Sequence, residues 1–225
     1  MSLLLVEPLR KFNMRLKSFN LTLGKEDKSS SSHFAAARVV DLIIPRVENR
    51  ILAVFKDIAL VLSFAILTAI CAKLKLEIGA VPITMQTFVV LLAGALLGSK
   101  KGALSQLTYL TMGFWGIPWF ARGGGIQYVF SPTFGYLIGF VFAAYFVGRL
   151  SERGWDRDFK TAILAMLIGN IVLYIPGLFW LAKFIGVGKV LAVGLYPFLI
   201  GDLLKVFLAS SVLPMGWKIL KNYGR

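Results

Sequence analysis

From residue 57 to residue 213 the chain is a near-continuous series of apolar runs, each of the length a bilayer-spanning helix needs. A hydrocarbon core takes roughly 20 mostly apolar residues in helical form. The runs are 57–74 (DIALVLSFAILTAICAKL), 82–98, 101–117, 132–150, about 159–184 and about 190–213. Pro82 and Pro132 open the second and fourth, where a missing N–H costs nothing in a first turn. Pro176 is expected to kink or shorten the fifth. Composition agrees: 57% of residues are hydrophobic and 16% charged, against about 45–50% and about 25% in soluble domains. The expected fold class is therefore an all-α integral membrane protein with six transmembrane helices occupying residues 54–217. A basic extension (1–53) precedes it and a short basic tail (218–225) follows.

The net charge of +14 would suit nucleic acid, but the basic residues lie between apolar runs rather than along one face, so topology explains them better and no nucleic-acid partner is expected. Six spans put both ends on one side. Setting aside the long N-terminal extension, that side carries Lys100, Lys101, Arg149, Arg153, Arg157, Lys160, Lys218, Lys221 and Arg225. The other carries Lys73, Lys75, Arg122, Lys183 and Lys189. Nine against five predicts both termini in the cytoplasm; the expected location is the plasma membrane. The extension has an apolar patch too short for a signal peptide, a serine linker, and an expected interfacial amphipathic helix around 35–55.

Chemistry is limited by what is missing. One Cys (Cys71) and one His (His33) exclude a disulfide framework and leave no His/Cys metal site, so neither metal nor cofactor is expected. GALLGSKKG lacks phosphate-loop spacing, and there is no H-E-x-x-H. A serine–histidine pair is unavailable within the membrane domain. Binding or transport remains, rather than catalysis.

Asp202 and Lys205 interrupt the sixth run, PFLIGDLLKVFLASSV. Each costs about 2.5–3.5 kcal/mol at a helix centre on insertion scales. Three residues apart, they share a face and can offset each other. A purely structural ion pair is one reading; a polar wall of a ligand pocket is the other, because intramembrane charges face cavities. Asn170 and Tyr174, one turn apart in the fifth run, add an amide and a phenol, although an interhelical hydrogen bond would also account for Asn170. The loop WGIPWFARGGGIQYVFSPTFGY (115–136) adds Arg122, a cation suited to a carboxylate. Beside it Gly123, Gly124 and Gly125 permit close backbone approach. Trp115, Trp119, Phe120 and Tyr128 surround that turn, some of them as interfacial aromatics. Together these groups suit a small ligand with a carboxylate at one end and a urea- or amide-like head at the other. In the first run, Ala59 with Ser63 and Ala65 with Ala69 are small-xxx-small pairs that let another helix approach, whether internal or from another protein.

The segment VPITMQTFVVLLAGALLGSKKGALSQLTYLTMGFWGIPWFARGGGIQYVFSPTFGYLIGF resembles the BioY family, the biotin-specific substrate-binding (S) components of energy-coupling factor (ECF) transporters. Its P-I-T-x-Q-T, G-x-P-x-F-x-x-G-G-G and P-T-x-G-Y elements carry the resemblance, which covers about residues 54–215; Ser131 stands where a glycine is commoner. The resemblance implies the six-helix S-component fold, biotin bound from outside, and assembly with a transmembrane coupling (T) subunit and two ATP-binding subunits. It also implies a lid formed by about 75–84, Gln86 as a site residue, and docking of the coupling subunit by Ala65 and Ala69, with Ala59 and Ser63 beside them. On this reading the valerate carboxylate pairs with Lys205 and Arg122, the ureido ring meets Asp202 and Asn170, and Tyr174, Trp119 and Phe120 cover the apolar part. An autonomous, proton-coupled transporter of a small carboxylate vitamin, with Asp202 and Lys205 as the relay, is the competing expectation.

Overall fold

The structure, a computed structural model, describes residues 49–77 and 79–223. The expectations for the N-terminal extension, apart from its last few residues, fall outside these. Helix α1 spans Arg50–Lys73, α2 Gln86–Leu97, α3 Ser99–Phe114, α4 Phe134–Ser151 and α5 Phe159–Ile185. A short α6 (Val187–Gly194) leads into α7 (Tyr196–Tyr223). Two strands, β1 (Lys75–Leu76) and β2 (Ile83–Thr84), pair antiparallel between α1 and α2, with Lys75 opposite Thr84. All six predicted helical segments are present in order, α6 and α7 together forming the sixth.

Local sequence sets the ends. Asn49 caps α1 by accepting the Ile51 amide at 2.9 Å, and Asp158 caps α5 through the Lys160 amide at 2.9 Å. Such caps satisfy donors that the first turn leaves unpaired. Pro176 does not shorten α5, which runs on to Ile185.

Among the described residues, four helical stretches are long and apolar enough to cross a membrane: Arg50–Lys73, Phe134–Ser151, Phe159–Ile185 and Val187–Ile219. The second and third are shorter than the sequence suggested. Pro82 is not in a first helical turn: residues 83–84 belong to the hairpin, so α2 begins at Gln86 and has 12 residues. At 1.5 Å per residue it is about 18 Å long, well under the hydrocarbon thickness. The hairpin and the 115–131 loop occupy the chain positions that longer helices would have taken.

Helices α4 and α5 form the bundle's centre. A Cβ at Gly139 would sit 2.4 Å from the Leu173 carbonyl oxygen, so only glycine allows this approach. Two buried clusters result. One gathers Tyr109, Phe120, Tyr128, Tyr136, Leu173 and Phe198; the other gathers Leu91, Val147, Met166, Val206 and Leu213. On α7 the step from Phe198 in the first cluster to Val206 in the second passes through Asp202 and Lys205. The charged pair lies at the seam between the two.

Helix α1 turns Val61, Ala65, Thr68, Ala69 and Ala72 inward. Thr68 exchanges hydrogen bonds with Gln106 of α3 at 3.3–3.4 Å. Ala65 (0% exposed) and Ala69 (7%) are thus buried within the bundle. Their small size serves contact inside the chain. Ala59 and Ser63 lie on an exposed face, the Ser63 hydroxyl donating to the Ala59 carbonyl at 2.7 Å.

Candidate functional site

A cavity of about 50 Å³ lies against the seam. Its roof is the hairpin (Val81, Pro82, Thr84) with Ala121 of the glycine loop. Its polar wall is Gln86 and Thr87 from the start of α2, Tyr174 from α5, and Asp202 and Lys205 from α7. Apolar and phenolic surface comes from Tyr136, Leu137 and Phe140 of α4, Leu173, and Phe198. Tyr128 and Thr133 close the side facing the loop, the Thr133 hydroxyl donating to the Tyr128 oxygen at 3.2 Å.

Asp202 and Lys205 are 4% and 6% exposed. The Lys205 ammonium donates to the Asp202 carboxylate at 3.1 Å, the Thr87 hydroxyl at 2.9 Å and the Thr84 carbonyl at 2.7 Å. An ammonium has three N–H groups, and each has a partner. Asp202 also accepts from Thr87 at 3.3 Å and, through its other oxygen, from the Tyr174 hydroxyl. Two buried opposite charges are tolerated when hydrogen bonds satisfy what the pair leaves over; here α2, α5 and the hairpin do so. The pair offers one acceptor and one donor side by side, electrically neutral as a unit.

Gln86 is fixed from both ends. Its amide nitrogen donates to the Tyr109 hydroxyl at 2.7 Å and its oxygen accepts from Thr84 at 3.1 Å. Tyr109 in turn donates to the Trp119 carbonyl at 3.4 Å. A buried chain of bonds therefore joins the hairpin to the glycine loop.

The remaining sequence candidates lie elsewhere. Asn170 is buried one turn from Tyr174, outside the cavity lining, and its side-chain carbonyl has no hydrogen-bond partner among the described residues. Phe120 is fully buried among Tyr109, Phe114 and Tyr128, and Trp119 packs on Tyr109. Both are packing residues, not cavity walls. Gly123, at φ 122°, pairs with Phe120 through two backbone hydrogen bonds, and the Gly125 amide, at φ 99°, donates to Gly113 at 2.7 Å. A Cβ on Gly124 would meet the Ile117 carbonyl oxygen at 2.2 Å. The glycines fold a tight turn; none lines the cavity.

Arg122, at the tip of that turn, points at the loop between β1 and β2. Its guanidinium donates to the Glu77 carboxylate at 2.7 and 3.0 Å, to the Gly79 carbonyl at 3.1 Å and to the Ala80 carbonyl at 3.0 Å. It lies outside this cavity's lining and, bonded to Glu77, Gly79 and Ala80, forms a latch between the glycine turn and the hairpin loop. The Lys75 ammonium, followed by Arg122, holds the Glu77 carboxyl below the usual carboxylate range. The latch therefore persists at neutral pH and is lost only as acid carries the solution down through that depressed value.

Sequence reasoning passed over Thr84, Thr87, Thr133, Tyr136 and Phe198. Thr84 and Thr87 stand inside P-I-T-x-Q-T, and Thr133 and Tyr136 inside P-T-x-G-Y, so the signal was present in the motifs.

Residues 44–222 match the BioY family. The chain is 41% identical over 158 residues to a probable biotin transporter BioY of Pyrococcus horikoshii, covering 70% of this chain and 93% of the relative. It is 34% identical over 151 residues to a biotin transporter BioY of Thermotoga maritima, covering 66% and 88%. A crystal structure of the S-component for biotin from an ECF-type ABC transporter superposes with a TM-score of 0.67 at 25% identity, covering 80% of this chain and all of the other.

Proposed function

This chain belongs to the BioY family, and from that premise we propose that it captures biotin from outside the plasma membrane as the S component of an ATP-driven ECF transporter. Both termini would be cytoplasmic. A transmembrane coupling subunit and two ATP-binding subunits would supply the energy that this chain has no motif to supply. The observation that carries the reading is the Asp202–Lys205 pair facing a cavity between α2, α5 and α7.

With the two groups 3.1 Å apart, they meet one end of a ligand, not opposite ends. A ureido ring presents N–H and C=O on neighbouring atoms. Asp202 would accept from its N–H and Lys205 would donate to its carbonyl. The thiophane ring would rest on Phe198, Phe140 and Leu173, and the carboxylate would extend toward the hydroxyls of Tyr128 and Thr133. Asn170 is the next acceptor beyond Asp202 as the site widens.

Small-molecule sites are usually about 300 Å³ or more, so a cavity of about 50 Å³ admits biotin only when its roof lifts. Lifting parts the Arg122–Glu77 latch. Glu77→Gln is expected to release bound biotin about two- to fivefold faster, the range of an exposed ion pair, and to remove the salt dependence of release; stopped-flow displacement of labelled biotin measures both.

The direct test is titration of the purified chain with biotin, biotinamide and heptanoate. Biotin and biotinamide should bind with similar affinity, and heptanoate at least about a hundredfold more weakly, since its carboxylate cannot use the donor–acceptor pair. No binding of biotin would refute the function. Binding of biotin but not of biotinamide would reverse the ligand's orientation.

A further inference from the structure

Asp202 and Lys205 project from one helix and bond to each other directly, and what joins the pair to α2 is a single hydroxyl. Thr87 accepts from the Lys205 ammonium at 2.9 Å and donates to the Asp202 carboxylate at 3.3 Å. The same oxygen thus serves as acceptor and donor, the two capacities a hydroxyl has. It completes the ammonium's set of three partners with Asp202 and the Thr84 carbonyl.

We propose that Thr87 is a positioning and specificity-determining residue, which orients the Asp202–Lys205 pair toward a neutral donor–acceptor head and withholds Lys205 from simple carboxylates. The inference rests on the reading of the site given above. With Thr87 in place, a ligand gains an ammonium N–H only by displacing an existing partner. The exchange is favourable when the ligand also donates to Asp202, as a ureido group does. A lone carboxylate gives Asp202 nothing and brings a second negative charge beside it. Without the hydroxyl, one ammonium N–H lacks a partner, and a free buried donor favours any anion that reaches it. Selectivity, not only affinity, therefore depends on Thr87.

Three variants separate the hydroxyl from the methyl group. Thr87→Val keeps the shape and removes both hydrogen bonds. Thr87→Ala and Thr87→Ser both lose the methyl, and only the serine keeps the hydroxyl. Each is titrated with biotin and heptanoate in detergent, with thermal unfolding as the check on folding. Thr87→Val is expected to weaken biotin binding about tenfold and to lower the ratio of biotin to heptanoate affinity by more than that. Thr87→Ser should restore the wild-type ratio, and Thr87→Ala should behave as valine does, which preserves the comparison if the valine variant is unstable. An unchanged ratio in Thr87→Val and Thr87→Ala, or a serine variant as impaired as alanine, overturns the proposal while wild-type biotin binding stands. Failure of the wild-type chain to bind biotin removes the functional reading and this inference with it.

Discussion

Lys205→Ala should cost roughly a hundred- to several-thousandfold in biotin affinity, measured by calorimetric titration. The variant loses the charged donor to the ligand's carbonyl in a desolvated site and leaves the carboxylate beside it without its counter-charge, a loss of about 3–5 kcal/mol in binding, which converts to that range. After truncation Asp202 keeps the hydroxyls of Thr87 and Tyr174, but its charge stays buried and the donor for the ligand's carbonyl is gone. Stability falls for the same reason, so binding and unfolding must be measured together. In Asp202→Asn/Lys205→Gln no uncompensated charge remains. That double variant should recover most of the thermal stability and none of the affinity. Binding within a few-fold of wild type in Lys205→Ala would mean that the pair is structural and that the ligand sits elsewhere.

Why was this pair legible while its surroundings were not? A charge inside a run of Leu, Ile and Phe stands out because burying it costs several kcal/mol. Threonine and tyrosine hydroxyls cost much less in a helix and are common there, so Thr87, Thr133 and Tyr136 resembled ordinary span residues. Their importance comes from partners far along the chain, Lys205 lying 118 residues from Thr87. Arg122 was visible as a cation at a glycine turn. Its target, Glu77, is 45 residues earlier in a loop, and nothing in the local pattern joins the two.

The helices follow the same rule. The third, fourth and fifth apolar runs match their helices to within three residues at each end, whereas α1 begins seven residues before its run and α7 extends ten beyond its own. At 82–85 hydropathy misled, because Val81, Pro82 and Ile83 are apolar enough to extend α2, yet Ile83 and Thr84 pair with β1, and Val81, Pro82 and Thr84 roof the cavity. Two-residue strands are too short to show alternation. Small-residue spacing was equally ambiguous on α1, where Ala59/Ser63 and Ala65/Ala69 have the same form. Thr68 decides between them: it lies one turn from Ala65 and from Ala72, and its bond to Gln106 turns that stripe inward.

That assignment gives the second large expected effect. Helix α1 is the least enclosed of the long helices, with 17% of its most apolar window buried against 56% for α4. Its outward small pair, Ala59 and Ser63, is six residues before the inward pair, about 120° around the helix at 3.6 residues per turn. If a coupling subunit packs closely on α1, it must use the outward pair, because Ala65 and Ala69 are already covered. Ala59→Leu/Ser63→Leu should therefore reduce co-purification with the coupling and ATP-binding subunits by about tenfold or more, while biotin titration of the isolated chain is unchanged. Ala65→Leu should do the reverse. Overpacking a filled interior costs about 1–3 kcal/mol, which at about 2–4 °C per kcal/mol for a chain of this size is a clear loss in thermal unfolding. Assembly lost in Ala65→Leu with no change in unfolding temperature, and assembly intact in the Ala59/Ser63 variant, would place the partner on the stripe that now faces Gln106. Helix α1 would then have to rotate by about a third of a turn to dock, breaking the Thr68–Gln106 bonds as it does so.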